Sequence, residues 1–218
     1  MTRHLIWDVD GTLFDTYPAI VRAFLLALED FGKSDSAHHV EHSARVGLTF
    51  CASQLAILHD VPEGALRDRF GELYSAIPKS VQLPFDGVKA VCERVLARGG
   101  SNSIATHRAH ESVDELLLTH AMRHMFTEIV GGDEGFPKKP SPESFLAIIG
   151  RRALDRVETA AIGDRDVDIQ AGKAAGIRTC LYGRGEGEYS ADLVFSDYKE
   201  LLLYLEEDRR RPTTRQTV

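Results

Sequence analysis

Leu5-Ile6-Trp7-Asp8-Val9-Asp10-Gly11-Thr12-Leu13-Phe14-Asp15 is the stretch whose reading decides the fold. Its apolar start predicts a buried strand. The strand ends in two carboxylates one residue apart, followed by a Gly and a Thr. Along an extended backbone alternate side chains share a side, so Asp8 and Asp10 are expected to face together. Two such carboxylates repel unless a cation or a proton lies between them. Gly11 permits a sharp turn that brings backbone N–H groups near a ligand. A strand end of this kind is a reaction centre that calls for a cation and an anion. A DxD pair alone is equally well a surface turn, so the rest of the chain has to complete the argument.

Working outward, Pro18 opens a helix with Thr16 or Tyr17 near its cap. Ile20, Val21, Phe24, Leu25, Leu28 and Phe31 then recur at helical spacing up to Gly32. Residues 36–82 read as further helical pieces. One holds Leu48, Phe50, Leu55, Ile57 and Leu58, another Leu66, Phe70, Leu73 and Tyr74, with Pro62-Glu63-Gly64 and Pro78 as punctuation. No strand is expected among them, so the block reads as an insertion after the first strand. Beyond Pro84-Phe85-Asp86-Gly87 an amphipathic helix runs to Gly99-Gly100. Strands are then expected at 103–106, 128–130, 159–162, 177–181 and 193–195, with a helix between each of the first four and a last helix over 198–205. Such alternation predicts an α/β fold with a mainly parallel sheet. In these sheets ligands bind beyond the carboxyl ends of the strands. The expected strand ends carry Asp8/Asp10, Thr106 and Asp164/Asp168, three polar sets that would converge on one crevice.

The chemistry follows from the residue types. Mg²⁺ takes hard oxygen ligands and keeps several waters, so Asp8, Asp164 and Asp168 with a substrate phosphate would suffice to hold it. Asp8 can also act as a nucleophile and form an aspartyl-phosphate. Asp10 is placed to protonate a leaving alcohol and later to activate water. The Thr106 hydroxyl and nearby backbone N–H groups would grip phosphoryl oxygens. Lys139, within Lys138-Lys139-Pro140-Ser141-Pro142, would offset the charge that develops during transfer. Taken singly, each has a plainer explanation: a helix-capping Thr, a solvated Lys, a Gly163-Asp164 turn. Their joint order and strand-end placement count against four coincidences.

Composition narrows the class. The 218 residues suit one compact domain with a modest insertion, and 43% hydrophobic content is enough for a core. A formal net charge of −7 argues against a nucleic-acid binder. No apolar run approaches the roughly 20 residues of a membrane span. Met1-Thr2-Arg3-His4 passes straight into the first strand, so no signal peptide is expected. Cys51, Cys92 and Cys180, without a CxxC pattern, are expected as reduced thiols in a cytoplasmic setting.

The motifs together resemble the haloacid dehalogenase-like hydrolase superfamily, of the phosphoglycolate phosphatase/β-phosphoglucomutase type. Asp8-Val9-Asp10-Gly11-Thr12-Leu13-Phe14-Asp15 is similar to its first motif, Ile104-Ala105-Thr106 to the second and Lys139-Pro140-Ser141-Pro142 to the third. Gly163-Asp164-Arg165-Asp166-Val167-Asp168-Ile169 is similar to the fourth, and they occur in the expected order. The resemblance implies a Rossmann-like core over 1–15 and 83–208 and an inserted helical cap over 16–82. It implies that Asp8 is nucleophile and magnesium ligand, and that Asp10 is the acid/base and lends the metal its backbone carbonyl. Thr106 and Lys139 would hold phosphate, and Asp164 would bind magnesium with Asp168 close by. His107 stands where many relatives carry Asn. It would contact phosphate through a ring N–H, or point away and leave only its backbone in place. Asp10 argues against the dehalogenase branch, because halide departure needs no acid.

The activity implied is Mg²⁺-dependent hydrolysis of a small phosphorylated metabolite, phosphoglycolate-like or a sugar phosphate. The alternatives are a phosphomutase of the β-phosphoglucomutase kind and a non-catalytic phosphate-binding scaffold. Substrate choice is expected to lie in the cap, where Arg45 either reads a second anionic group or is a solvated helix arginine. His38, His39 and His42, in a polar and loop-like setting, are read against a zinc site for want of a fourth ligand. Residues 209–218 read as a disordered tail whose arginines are solvated.

Overall fold

The structure, a computed structural model, describes residues 1–183 and 191–210. It divides into two compact units, residues 1–14 with 84–218 and residues 15–83.

The first strand, β1 (His4–Trp7), begins the larger unit. The helical unit follows in the chain, with α1 (Tyr17–Asp30), α2 (Ala37–Val46), α3 (Leu48–His59) and α4 (Glu63–Ala76). Pro18 stands in the first turn of α1, where its missing N–H has no partner to lose. The unit has its own core, in which Ile20, Phe24, Leu28, Val40, Leu55 and Leu66 are buried. The rings of Phe24 and Phe70 stack with centroids 3.9 Å apart.

The three histidines read as loop residues, His38, His39 and His42, lie on α2 instead. Ser36 caps that helix, its hydroxyl accepting the N–H of His39 at 3.1 Å. The His39 and His59 rings both bond to Oδ2 of Asp35, at 2.9 and 2.8 Å. Among the described residues these histidines form no metal-ligand cluster.

The larger unit resumes with α5 (Val88–Ala97), β2 (Ser101–Ala105), α6 (His110–Thr119), β3 (Phe126–Val130) and α7 (Glu143–Arg152). It continues with β4 (Thr159–Gly163), α8 (Asp166–Ala174), β5 (Arg178–Tyr182), β6 (Leu193–Phe195) and α9 (Tyr198–Arg210). The sheet has six strands in the order β3-β2-β1-β4-β5-β6, all pairings parallel. This is the doubly wound, Rossmann-like order, and the chain reverses direction across the sheet on either side of β1.

Such a sheet is covered on both faces, so its central strands are mostly apolar and a buried polar residue such as Asn102 needs a hydrogen-bond partner. Leu5 and Trp7 pack with α5, α6 and α9 on one face, while Ile6 packs with α7 and α8 on the other. The buried Trp7 indole donates to Oδ1 of Asn102 at 3.1 Å, and Asn102 in turn donates to the Cys92 carbonyl at 3.1 Å. Cys51, Cys92 and Cys180 are buried and free. The final helix runs past the expected 205 to Arg210, so the expected tail is helical at its start, and residues 211–218 lie outside the described residues. Among the described residues no helix is long and apolar enough to cross a membrane.

Candidate active site

The strand order sets the site. Trp7 is level with Ile104 of β2 and with Ile162 of β4, so the next residues of all three strands emerge at one edge. Asp8 follows β1, Thr106 follows β2 and Asp164 follows β4. Asp8 still donates its N–H to the Ile162 carbonyl at 2.8 Å. Then the chain turns sharply. The Val9 carbonyl accepts N–H groups from Thr12, Leu13 and Phe14, and Gly11 takes φ +77°, the left-handed region that favours glycine.

The turn separates the two acids. Asp8 is buried and faces Lys139, whereas Asp10 is half-exposed and pairs with the Arg108 guanidinium. They do not share one cation, as simple alternation along a strand would have had them do. Asp10's side chain also stands outside the carboxylate cluster formed by Asp8, Asp164 and Asp168.

Oxygens of those three carboxylates lie within 4.8 Å of one another. Lys139 comes from the β3–α7 loop and closes the cluster. Its ammonium donates to Oδ1 of Asp8 at 2.7 Å and to the Ala105 carbonyl at 3.0 Å, and pairs with Oδ1 of Asp168. Asp168 stands in the first turn of α8, where its Oδ2 accepts the Arg165 N–H at 3.2 Å as half of a capping box. Asp164 accepts the Thr12 hydroxyl at 3.2 Å, and the Tyr198 hydroxyl donates to the Thr12 carbonyl.

Burial raises the Asp8 carboxyl above its ordinary range, although Lys139 pulls it down. Burial works against the Lys139 charge, but Asp168 and Asp8 outweigh it and hold the ammonium above the usual lysine value. A cation beyond Lys139 also fits here. Oδ2 of Asp8 is buried and has no hydrogen-bond partner, and an all-oxygen carboxylate set suits a hard divalent ion.

Thr106 is buried, and its hydroxyl oxygen accepts the Arg108 N–H at 3.2 Å, which leaves its own proton to donate. His107 accepts the backbone N–H of Lys139 on Nε2 at 2.9 Å, so that nitrogen offers no N–H to a ligand. Arg45 lies on α2 in the helical unit. It forks onto Glu41 at 3.0 and 2.8 Å and stacks over the Tyr17 ring at 4.0 Å. The sequence singles out Thr12 only as part of the turn in the first motif, not for its hydroxyl bond to Asp164. Arg108, which pairs with Asp10, has one sequence signal, a cation two residues past the strand-end hydroxyl.

The haloacid dehalogenase-like hydrolase family matches residues 5–182. A phosphoglycolate phosphatase from Aliivibrio fischeri is 30% identical, over 92% of this chain and 95% of its own. One from Yersinia pestis is 28% identical, over 92% and 91%. The crystal structure of a predicted phosphoglycolate phosphatase from Haemophilus somnus superposes with a TM-score of 0.83 at 21% identity, covering 94% of this chain and 98% of that one. CbbY from Rhodobacter sphaeroides, solved in complex with phosphate, gives 0.75 at 21% identity, covering 92% and 96%. A motif match over most of the chain, a doubly wound sheet and a helical unit inserted after its first strand leave one conclusion: the chain belongs to the haloacid dehalogenase-like hydrolase family.

Proposed function

We propose that the chain hydrolyses a small phosphate monoester, phosphoglycolate-like or a sugar phosphate, with Mg²⁺ and through an aspartyl-phosphate on Asp8. The observation that carries this is the Asp8 carboxylate: nearly sealed from water, one oxygen on Lys139, the other without a hydrogen-bond partner. A carboxylate so held is oriented, and it keeps little hydration to shed before it attacks. The relatives named phosphoglycolate phosphatases support the substrate class.

In this reading Asp8 attacks phosphorus, the ester P–O bond breaks, and Asp10 gives its proton to the departing alcohol. Asp10 then takes a proton from water, which attacks the aspartyl-phosphate, releases phosphate and restores Asp8. Lys139 offsets charge on the transferring group, and the Thr106 hydroxyl donates to it. Arg108 holds Asp10 in one orientation. Bound Mg²⁺, held by Asp8, Asp164, Asp168 and the Asp10 backbone carbonyl, would neutralise phosphoryl charge as a Lewis acid. A net charge of −7 suits a small anion met by local cations rather than a nucleic acid. Arg45 is the candidate for substrate choice, and its replacement by Ala should raise KM while leaving kcat in place.

The test is phosphate release from a panel of small phosphate esters, with Mg²⁺ and with chelator. Metal-dependent release from one compound far above the rest supports the reading. Isomerised sugar phosphate without free phosphate would overturn it in favour of a mutase.

A further inference from the structure

Residues 131–142 connect β3 to α7. The loop is long for an α/β unit, where connections run to about 2–6 residues, yet it must deliver Lys139 to a buried carboxylate. The structure ties it down near both ends. Near its start, Gly132 donates its N–H to the Arg108 carbonyl at 2.9 Å, and Asp133 accepts the His110 N–H at 2.9 Å. Gly132 is pressed so close to the neighbouring loop that a Cβ there would stand 2.3 Å from the His107 carbonyl oxygen. Near its end, the Lys139 N–H donates to Nε2 of His107 at 2.9 Å. His107 thus meets the loop twice, by its backbone at Gly132 and by its ring at Lys139.

The ring bond has a chemical consequence. A nitrogen that accepts an N–H carries no proton, so the imidazole is neutral with its proton on Nδ1. Burial, then the charges of Lys139 and Arg165, push His107 down to about 4, which keeps the acceptor available through the neutral range. A ring that merely filled space would not need a nitrogen facing that N–H.

We propose that His107 is a positioning residue: its ring holds the Lys139 backbone so that the ammonium reaches Asp8 and the Ala105 carbonyl, and it acts on the reaction through Lys139. The catalytic half of this proposal rests on the phosphatase reading above; the hydrogen bond does not.

The experiment compares wild type with His107→Leu, which has no acceptor, and His107→Gln, whose amide oxygen can replace Nε2. Each is made alone and with Lys139→Met. Three quantities are read: phosphate release, thermal unfolding as a control of fold, and amide hydrogen exchange at Lys139. His107→Leu should lower kcat about 10- to 100-fold, as loss of an orienting contact does. His107→Gln should recover most of that loss, and in the Lys139→Met background His107→Leu should add nothing. The Lys139 amide should exchange slowly in wild type, at least about tenfold faster in His107→Leu, and slowly again in His107→Gln. An undiminished His107→Leu penalty beside Lys139→Met would overturn the proposal. A fast-exchanging Lys139 amide in wild type would overturn it with no variant needed. Exchange requires no turnover, so a wild type that releases no phosphate fails the phosphatase reading alone.

Discussion

The Lys139 ammonium stands 2.7 Å from Oδ1 of Asp8, with 1% and 2% of the two side chains exposed. Removing one partner of such a pair strands the other charge, which costs about 3–5 kcal/mol. Lys139→Met should therefore lower stability by that order in urea unfolding with chelator present. Mg²⁺ should raise the unfolding midpoint more in the variant than in wild type, because the carboxylates have lost their built-in cation. Equal shifts would argue against these aspartates as the cation site.

Asp8→Asn preserves an oxygen that can accept from Lys139, so the fold should persist. Turnover should fall by at least about 10⁴-fold, as when a covalent nucleophile is removed. Circular dichroism and phosphate release on the same preparation separate the two effects. Near-normal turnover would remove Asp8 from the role of nucleophile.

Arg108 is buried where it grips Asp10 and donates to the Ser112 hydroxyl at 2.9 Å. Arg108→Gln should lower kcat about 10- to 100-fold, bounded by the loss in Asp10→Ala, since positioned proton transfer contributes about 10²–10⁴. If Arg108→Gln turns over normally while Asp10→Ala does not, Asp10 is oriented by something else.

Gly163 ends β4 directly under Asp168. A Cβ at this position would lie 2.3 Å from Cβ of Asp168 and 2.5 Å from its Cγ. Gly163→Ala should cost about 1–3 kcal/mol of overpacking and, by displacing Asp168 from Lys139, should lower activity as well. A variant with wild-type melting temperature and activity would show that α8 yields freely.

Asp208 fastens α9 to the start of the chain. It accepts the Thr2 N–H at 2.5 Å and an Arg178 guanidinium N–H at 2.6 Å. Burial alone would raise its carboxyl, but those donors outweigh burial and hold it below the ordinary aspartate value. A depressed carboxyl stabilises the fold fully above its unfolded pKa, about 3.9, and loses that contribution as pH falls through the folded value. Asp208→Asn should thus be about 1.5–3 kcal/mol less stable than wild type at pH 7. The gap should close below about pH 4, and a constant gap across that range would contradict the assignment.

Much of the fold is legible in the sequence because buried parallel strands read as short apolar runs closed by a polar residue. Asp8, Thr106 and Asp164 stand at strand ends for that reason, and Lys139 reaches Asp8 from its Pro-rich loop. The helix α2 is hard to read because its chemistry is polar: only Val40, Ser43 and Ala44 are buried. The end of α9 is obscure for a related reason. Past Leu205 the helix carries charges, and Glu206 pairs with Arg94 and Arg98 of another segment, contacts with no local periodicity. Arg108 and His107 are hidden in the same way, since one answers to Asp10 and the other to a backbone N–H far along the chain. Turn chemistry at Gly11, which sends the two acids to separate cations, also overrides the simple alternation of an extended strand.

The central place of β1 in the sheet has a consequence for the order of assembly. Of the six strands β1 is made before the others, and its two sheet neighbours, β2 and β4, begin only at Ser101 and Thr159. Its ammonium partner is 131 residues away and the hydroxyl partner of Asp164 is 152 residues upstream of it. Closing loops of that span is the slow part of folding. The helical unit, with its own core, can form while β1 waits. A growing chain therefore carries Asp8 long before Lys139 and Asp168, the two groups that complete its cluster, have been made.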